Sequence, residues 1–149
     1  MQTEIKNEWI YEQSPNEVWE YLTQSELIAL WLMPNNFEPI LGHEFQFTAK
    51  PIPSLDLDGI FPCKVLEIVP HQKLVYSWKG GSGNGNISLD TIVEWTLEKL
   101  DKGTKLSLKQ YGFKDANISI FHAMSGGWSQ NVVKMRNILN EKTNGSTNV

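Results

Sequence analysis

Apolar residues recur at every second position in several stretches of this chain, and at every third or fourth position in others. Residues 4–12 place Ile5, Trp9 and Tyr11 on one side and Lys6, Glu8 and Glu12 on the other, with Ile10 out of pattern. That period of two predicts a half-buried strand. Ser14-Pro15-Asn16-Glu17 follows. A serine cap, a proline at the first helical position and a glutamate three residues after the cap form a capping box. Val18, Trp19 and Leu22 then recur at helical spacing, and a second short helix, about Glu26 to Leu32, carries Leu27, Leu30 and Trp31 and stops before Pro34. Strands are expected at Glu44–Thr48, Gly59–Val69, Lys73–Lys79, Ser88–Leu100 and Thr104–Phe113, separated by turn-forming residues. Strands this close in sequence pair as an antiparallel meander, because parallel pairing needs a long crossover. Leu74, Tyr76 and Trp78 share a face, as do Val93, Trp95 and Leu97, and Leu106 and Leu108. Glu94, Glu98, Lys105, Ser107 and Lys109 take the opposite face. One side of the sheet is therefore wet and the other covered.

The cover is expected to be a long C-terminal helix from Asn117 to about Glu141. Ile118, Phe121, Ser125, Trp128, Val132, Met135 and Leu139 recur in steps of three and four, an apolar stripe interrupted by Ser125. About 22 residues at 1.5 Å each span roughly 33 Å, enough to cross a multi-stranded sheet. Gly126-Gly127 sits at the centre of this helix, just before Trp128. Glycine there costs roughly 1 kcal/mol against alanine. The expected return is close approach to the sheet, or a bend over it, with Trp128 plugging or lining the space beneath. On that reading Gly127→Leu overpacks the interface and costs about 1–3 kcal/mol. Residues 1–142 form a single domain, and the polar stretch 143–149 reads as a flexible tail. The element order is that of an α+β layer architecture.

The composition narrows the function. The chain has 149 residues, a formal charge of −4 and one cysteine. Acidic charge argues against nucleic-acid binding and against anionic membranes. A lone Cys63 excludes an internal disulfide and a multi-cysteine metal site, and it fits a reducing compartment. No charged-then-apolar leader opens the chain, and no apolar run approaches the ~20 residues that cross a bilayer. The cytoplasm is the expected location, with no metal and no cofactor.

Candidate chemistry is sparse. Gly80 to Asn86 is glycine-rich, but a phosphate loop needs a following helix and a Lys-Ser/Thr step, and neither is present. It reads as a flexible loop. Of the three histidines, His43 and His71 fall at a strand start and in a turn, whereas His122 neighbours the helical stripe and has either a surface role or a ligand contact. Cys63 has no base to ionise it and reads as inert packing. Ser125 either bonds back to its own helix or is a polar anchor in an apolar pocket. Tyr76, Trp78, Trp95, Tyr111, Phe121 and Trp128 form an aromatic set, suited to core packing and to partial lining of a ligand cavity.

These motifs, in order, resemble a known family. Ser14-Pro15-Asn16-Glu17-Val18-Trp19 with Leu22-Thr23, Ala29-Leu30-Trp31 with Pro34, Leu74-Val75-Tyr76-Ser77-Trp78, Val93-Glu94-Trp95-Thr96-Leu97 with Gly103-Thr104-Lys105-Leu106, and Gly127-Trp128 all contribute. Over about residues 3–141 the chain resembles the START-like (SRPBCC) superfamily. Within it, the resemblance is to proteins related to the C-terminal domain of the activator of the ninety-kilodalton heat-shock protein ATPase. The resemblance implies a helix-grip (START-like/Bet v-like) fold, with a curved antiparallel sheet of six or seven strands wrapped around the long helix and two short helices after the first strand. It also implies a cavity between helix and sheet where superfamily members bind apolar ligands. The activator's separate N-terminal chaperone-binding domain has no counterpart in these residues. The family's tryptophan pair before the proline is altered, since Trp31 is followed by Leu32 and Met33, which changes one end of the cavity.

The expected function is non-catalytic binding of a small apolar or aromatic molecule. The expected cavity residues are Trp31, Tyr76, Trp78, Trp95, Tyr111, Phe121, His122, Ser125, Trp128 and Val132. A chaperone-accessory role is the alternative. A cyclase or hydratase is a second, for which His122, Tyr111 and Tyr76 are the available acid–base groups. The expected state is a monomer, or a weak homodimer paired through an edge strand.

Overall fold

The computed structural model describes residues 4–147. Strand β1 (Glu4–Tyr11) leads into helices α1 (Pro15–Thr23) and α2 (Ser25–Trp31). Strands β2 (Glu44–Thr48), β3 (Ile60–Val69), β4 (Lys73–Gly80), β5 (Leu89–Lys99) and β6 (Thr104–Tyr111) follow, and helix α3 (Ile118–Thr147) closes the chain. The six strands form one antiparallel sheet in the order β1-β6-β5-β4-β3-β2. This is the expected α+β helix-grip arrangement.

Local chemistry sets the elements. The Ser14 side chain accepts from Glu17 N at 3.3 Å, and Glu17 Oε1 accepts from Ser14 N at 3.4 Å, closing the capping box of α1. Period-two alternation holds along β5 and β6: Val93, Trp95, Leu106 and Leu108 are buried, while Glu94, Lys105, Ser107 and Lys109 face outward. Ile10, out of pattern in the sequence, is 55% exposed. A bulge between Val65 and Glu67 shifts the β3–β4 register by one residue, which strengthens the local twist.

β1 returns from the start of the chain to pair with β6, Glu4 opposite Tyr111 and Tyr11 opposite Thr104. Its last residue is tied to the long helix: the Tyr11 hydroxyl donates to Val132 O at 2.9 Å. Gln13, also buried, donates to Asn140 Oδ1 at 3.0 Å and Thr143 Oγ1 at 3.1 Å.

The structure departs from two expectations. Helix α3 runs on to Thr147, whereas the sequence reading starts a flexible tail at residue 143. Thr143 is held there by Gln13 and by donating its own hydroxyl to Leu139 O; residues 148 and 149 lie outside the described residues. The inward stripe of α3 is also shifted at its start. Phe121, Trp128, Val132, Met135 and Leu139 are buried as expected, but Ile118 is 38% exposed and Ser125 only half-buried, and Ile120 and Met124 take the inward places. The cause is the short 3-10 turn Asp115–Asn117 before α3. Asn117 is buried there and donates to Ser88 O at 2.9 Å, so the next residue, Ile118, turns outward.

Because the Ser14 side chain caps α1, Ser14→Ala is expected to lower stability by about 1 kcal/mol. A urea titration followed by circular dichroism, with unchanged slope and a lower midpoint, checks this.

Candidate ligand cavity

Between the first half of α3 and the β2–β4 end of the sheet lies a cavity of about 180 Å³. Four segments wall it. Leu32 and Met33 come from the end of α2, and Ala49, Ile52, Leu55 and Leu57 from the loop between β2 and β3. Phe61 and Trp78 come from the sheet. Helix α3 contributes Ile120, Ala123, Met124, Gly127, Trp128 and Asn131. Ile120, Met124, Gly127 and Asn131 are spaced four, three and four residues apart, one face of a helix. Ile52 and Ala123 are exposed and stand at the rim. The lining side chains are apolar apart from the Asn131 amide, and none of them ionises near neutral pH.

The two indoles differ in what their N–H groups meet. Trp128 Nε1 donates to Gln110 Oε1 at 2.8 Å. Gln110 is fully buried and donates in turn to Thr91 Oγ1 at 2.9 Å, and the Thr91 hydroxyl donates to Trp78 O at 2.8 Å. Trp78 Nε1, by contrast, is buried and has no acceptor. Its ring is fixed against Phe47, stacked at 4.7 Å between centroids, and Phe61 at 5.3 Å. A buried donor left unpaired costs about 1–3 kcal/mol.

Of the ten residues expected to line a cavity, Trp78 and Trp128 do so. Trp31, Tyr76, Trp95 and Val132 are core residues instead. Trp31 donates its N–H to Tyr21 O at 2.8 Å and stands edge-on to Trp95, which donates to the Tyr76 hydroxyl at 3.0 Å and stands edge-on to Trp128. Burial pushes the Tyr76 hydroxyl pKa far up, so it stays protonated. Phe121 is buried against Phe113, away from the cavity wall.

Three expected contacts sit elsewhere. Tyr111 continues the outward face of β6 after Lys105, Ser107 and Lys109, with Lys109 Nζ 5.1 Å from its ring centroid. His122 is exposed, one residue off the inward stripe, and Ser125 lies beside the wall without joining it.

Other expected features resolve simply. Cys63 is buried, donates to Phe61 O at 3.3 Å, and burial pushes its thiol pKa up, which keeps it un-ionised. The Gly80–Asn86 loop supplies no wall residue; Asp58 N donates to Gly81 O at 2.8 Å, so the loop braces the segment carrying Leu55 and Leu57. His43 stacks on Phe45, and His71 meets Trp19 edge-on.

The sequence reading missed Gln110, the 49–57 loop, Ile120 and Met124. Gln110 was detectable, because it shares the parity of Leu106 and Leu108, and a polar residue at an inward position needs partners. The loop offers no periodic signal.

Gln110→Leu should strand the Trp128 N–H. A loss of about 1–3 kcal/mol is expected in a denaturant titration, with a change in the near-ultraviolet dichroism of the tryptophans. Equal stability would mean that the hydrogen bond is not holding the helix.

The family described as activator of Hsp90 ATPase homolog 1-like protein matches residues 12–140. A crystal structure of a Mesorhizobium loti protein is 29% identical, with a TM-score of 0.82, over 93% of this chain and 97% of the other. A Bacillus halodurans protein solved in solution is 24% identical, with a TM-score of 0.72, over 92% and 96%. The Aha1 dimer of Colwellia psychrerythraea is 15% identical, with a TM-score of 0.71, over 91% and 94%, a likeness of fold. No curated protein matches the chain.

Proposed function

The chain belongs to the family of activator of Hsp90 ATPase homolog 1-like proteins, in the START-like superfamily, and on that footing we propose that it binds a small apolar or aromatic molecule in the cavity beside α3, without covalent chemistry. The observation that carries this reading is an apolar space of about 180 Å³ walled by side chains that do not ionise near neutral pH. Sites for drug-sized ligands run to roughly 300–1,000 Å³. An apolar cavity of about 150 Å³ takes benzene. The fitting occupant is therefore a one- or two-ring molecule. General acid–base catalysis needs a proton-transfer group within reach of the bound molecule. Of the groups available for that role, Tyr76 is bonded in the core, Tyr111 is on the outer face and His122 is exposed, which favours binding over a cyclase or hydratase.

Indole, naphthalene and 2-naphthol are suitable probes. Saturation-transfer NMR should show all three bound, and tryptophan emission should change on titration. Naphthalene is expected to bind at least as tightly as 2-naphthol, because a hydroxyl buried against an apolar wall gains nothing unless it finds a partner. Absence of transfer to all three probes at millimolar concentration would sink the reading.

A second reading, a chaperone-accessory protein, is favoured by the family match itself. It expects the chain to bind a ninety-kilodalton heat-shock protein and raise its ATP turnover. A pull-down without the chaperone and an unaltered turnover rate would end it. We place the protein in a reducing compartment such as the cytoplasm, in keeping with its one buried thiol. We take it to be a monomer or a weak homodimer.

A further inference from the structure

Two circumstances usually require a glycine. Either φ is positive, or a neighbouring atom stands where a Cβ would be. Gly103, in the turn between β5 and β6, meets both conditions, with φ +99° and a Cβ position that collides with Tyr11 O. Gly127 meets neither. It sits in α3 without a positive φ, and a Cβ built there finds no atom within 4 Å. The expected close approach of helix to sheet at this point is therefore absent, and with it the expected overpacking by a larger side chain. The helix still carries the propensity cost of glycine at its centre.

What a side chain at Gly127 would enter is the cavity. Gly127 is half-buried, lies in the wall between Met124 and Asn131 on the same helical face, and directly precedes Trp128. It is the one wall residue of α3 without a side chain. We propose that Gly127 determines the size of the occupant, keeping the helix surface beside Trp128 clear so that a flat aromatic ring can lie against the α3 backbone. This rests on the cavity being a binding site. Alanine there would add one carbon to the cavity and leucine four, in a space of about 180 Å³. Gly126 is a built-in reference. It has the same helical setting and the same open surroundings, but it is exposed and outside the wall. Nothing in the structure explains Gly126.

The test compares Gly126→Ala, Gly127→Ala and Gly127→Leu with the unaltered protein, reading the ligand-free melting temperature and the affinities for indole and 2-naphthol. Both alanine variants are expected to melt higher, as helix propensity dictates. Gly126→Ala should keep both affinities. Gly127→Leu should weaken 2-naphthol by about tenfold or more, an overpacking effect, and Gly127→Ala should weaken 2-naphthol more than indole. An unaltered protein that binds neither probe removes the binding reading and this proposal with it. Binding by the unaltered protein together with equal binding by Gly127→Leu removes this proposal alone. So does a Gly127→Ala variant that melts lower. If the leucine variant does not fold, the alanine variant decides: an unchanged ratio of the two affinities overturns the proposal, and a ratio shifted against 2-naphthol supports it.

Discussion

The indole of Trp128 has to be dry, and its N–H still has to find an acceptor. Both demands are met at one place on the sheet. The side chain is 2% exposed, and Gln110 accepts its N–H at 2.8 Å. Gln110 can do this because Thr91 accepts from it, and Thr91 in turn is bonded to the Trp78 carbonyl. Three hydrogen bonds thus join α3 to β6, β5 and β4 at the middle of the covered face. They fix how far α3 is rotated about its axis, and hence which residues face the sheet. Val132, Met135 and Leu139 follow on the core side, all essentially fully buried.

The cavity is what this pinning leaves over. Trp31, Trp95, Trp128 and Trp78 form a succession of edge-on rings with centroids 5.4–6.0 Å apart, and Phe47 stacks on Trp78 at its end. Edge-to-face rings at such distances are favourable beyond their burial. Large rigid rings thus fill the space between α2, the sheet and Trp128 of α3. Beside Trp78 the filling changes to Leu32, Met33, Ile120, Met124 and the 49–57 loop, which stand apart and leave a gap. Trp78 belongs to both regions, a core ring held by Phe47 and a wall residue of the gap. The altered pair after Trp31 matters here, because Leu32 and Met33 are two of the lining side chains.

Much of the fold was legible, since it follows from periodicity. Parity along β4, β5 and β6 separated Trp78, Trp95 and Leu108 from Glu94, Lys105 and Ser107 without ambiguity. Parity also placed Tyr111 outward with Lys109, although its aromatic ring invites an inward reading. Position outweighs residue type in a strand whose register is fixed by both neighbours. The helix was harder. Its first turn depends on how it starts, and Asn117, buried and bonded to Ser88 O through a contact 29 residues away in sequence, holds that turn in place. An outward Ile118 and a His122 off the cavity follow from that turn. The 49–57 loop carries no period, so its share of the wall could not be read. The glycine pair stands out in the sequence by its propensity cost, but a sequence does not distinguish a neighbour that is too close from a space that is kept empty.

The return of β1 to pair with β6 has a consequence in time. Glu4 meets Tyr111, Tyr11 reaches Val132, and Gln13 reaches Thr143. A strand made early acquires its partner strand, its covering helix and its anchoring hydrogen bonds only when the last third of these residues exists. Contacts this distant in sequence slow folding, because loop closure comes before the stabilisation it allows. During synthesis the meander from β2 to β6 can pair hairpin by hairpin as it emerges, while β1 waits with Ile5 and Tyr11 uncovered. The order of assembly is therefore nearly the reverse of the order of translation for the outermost strand, and the native sheet is completed in one late step.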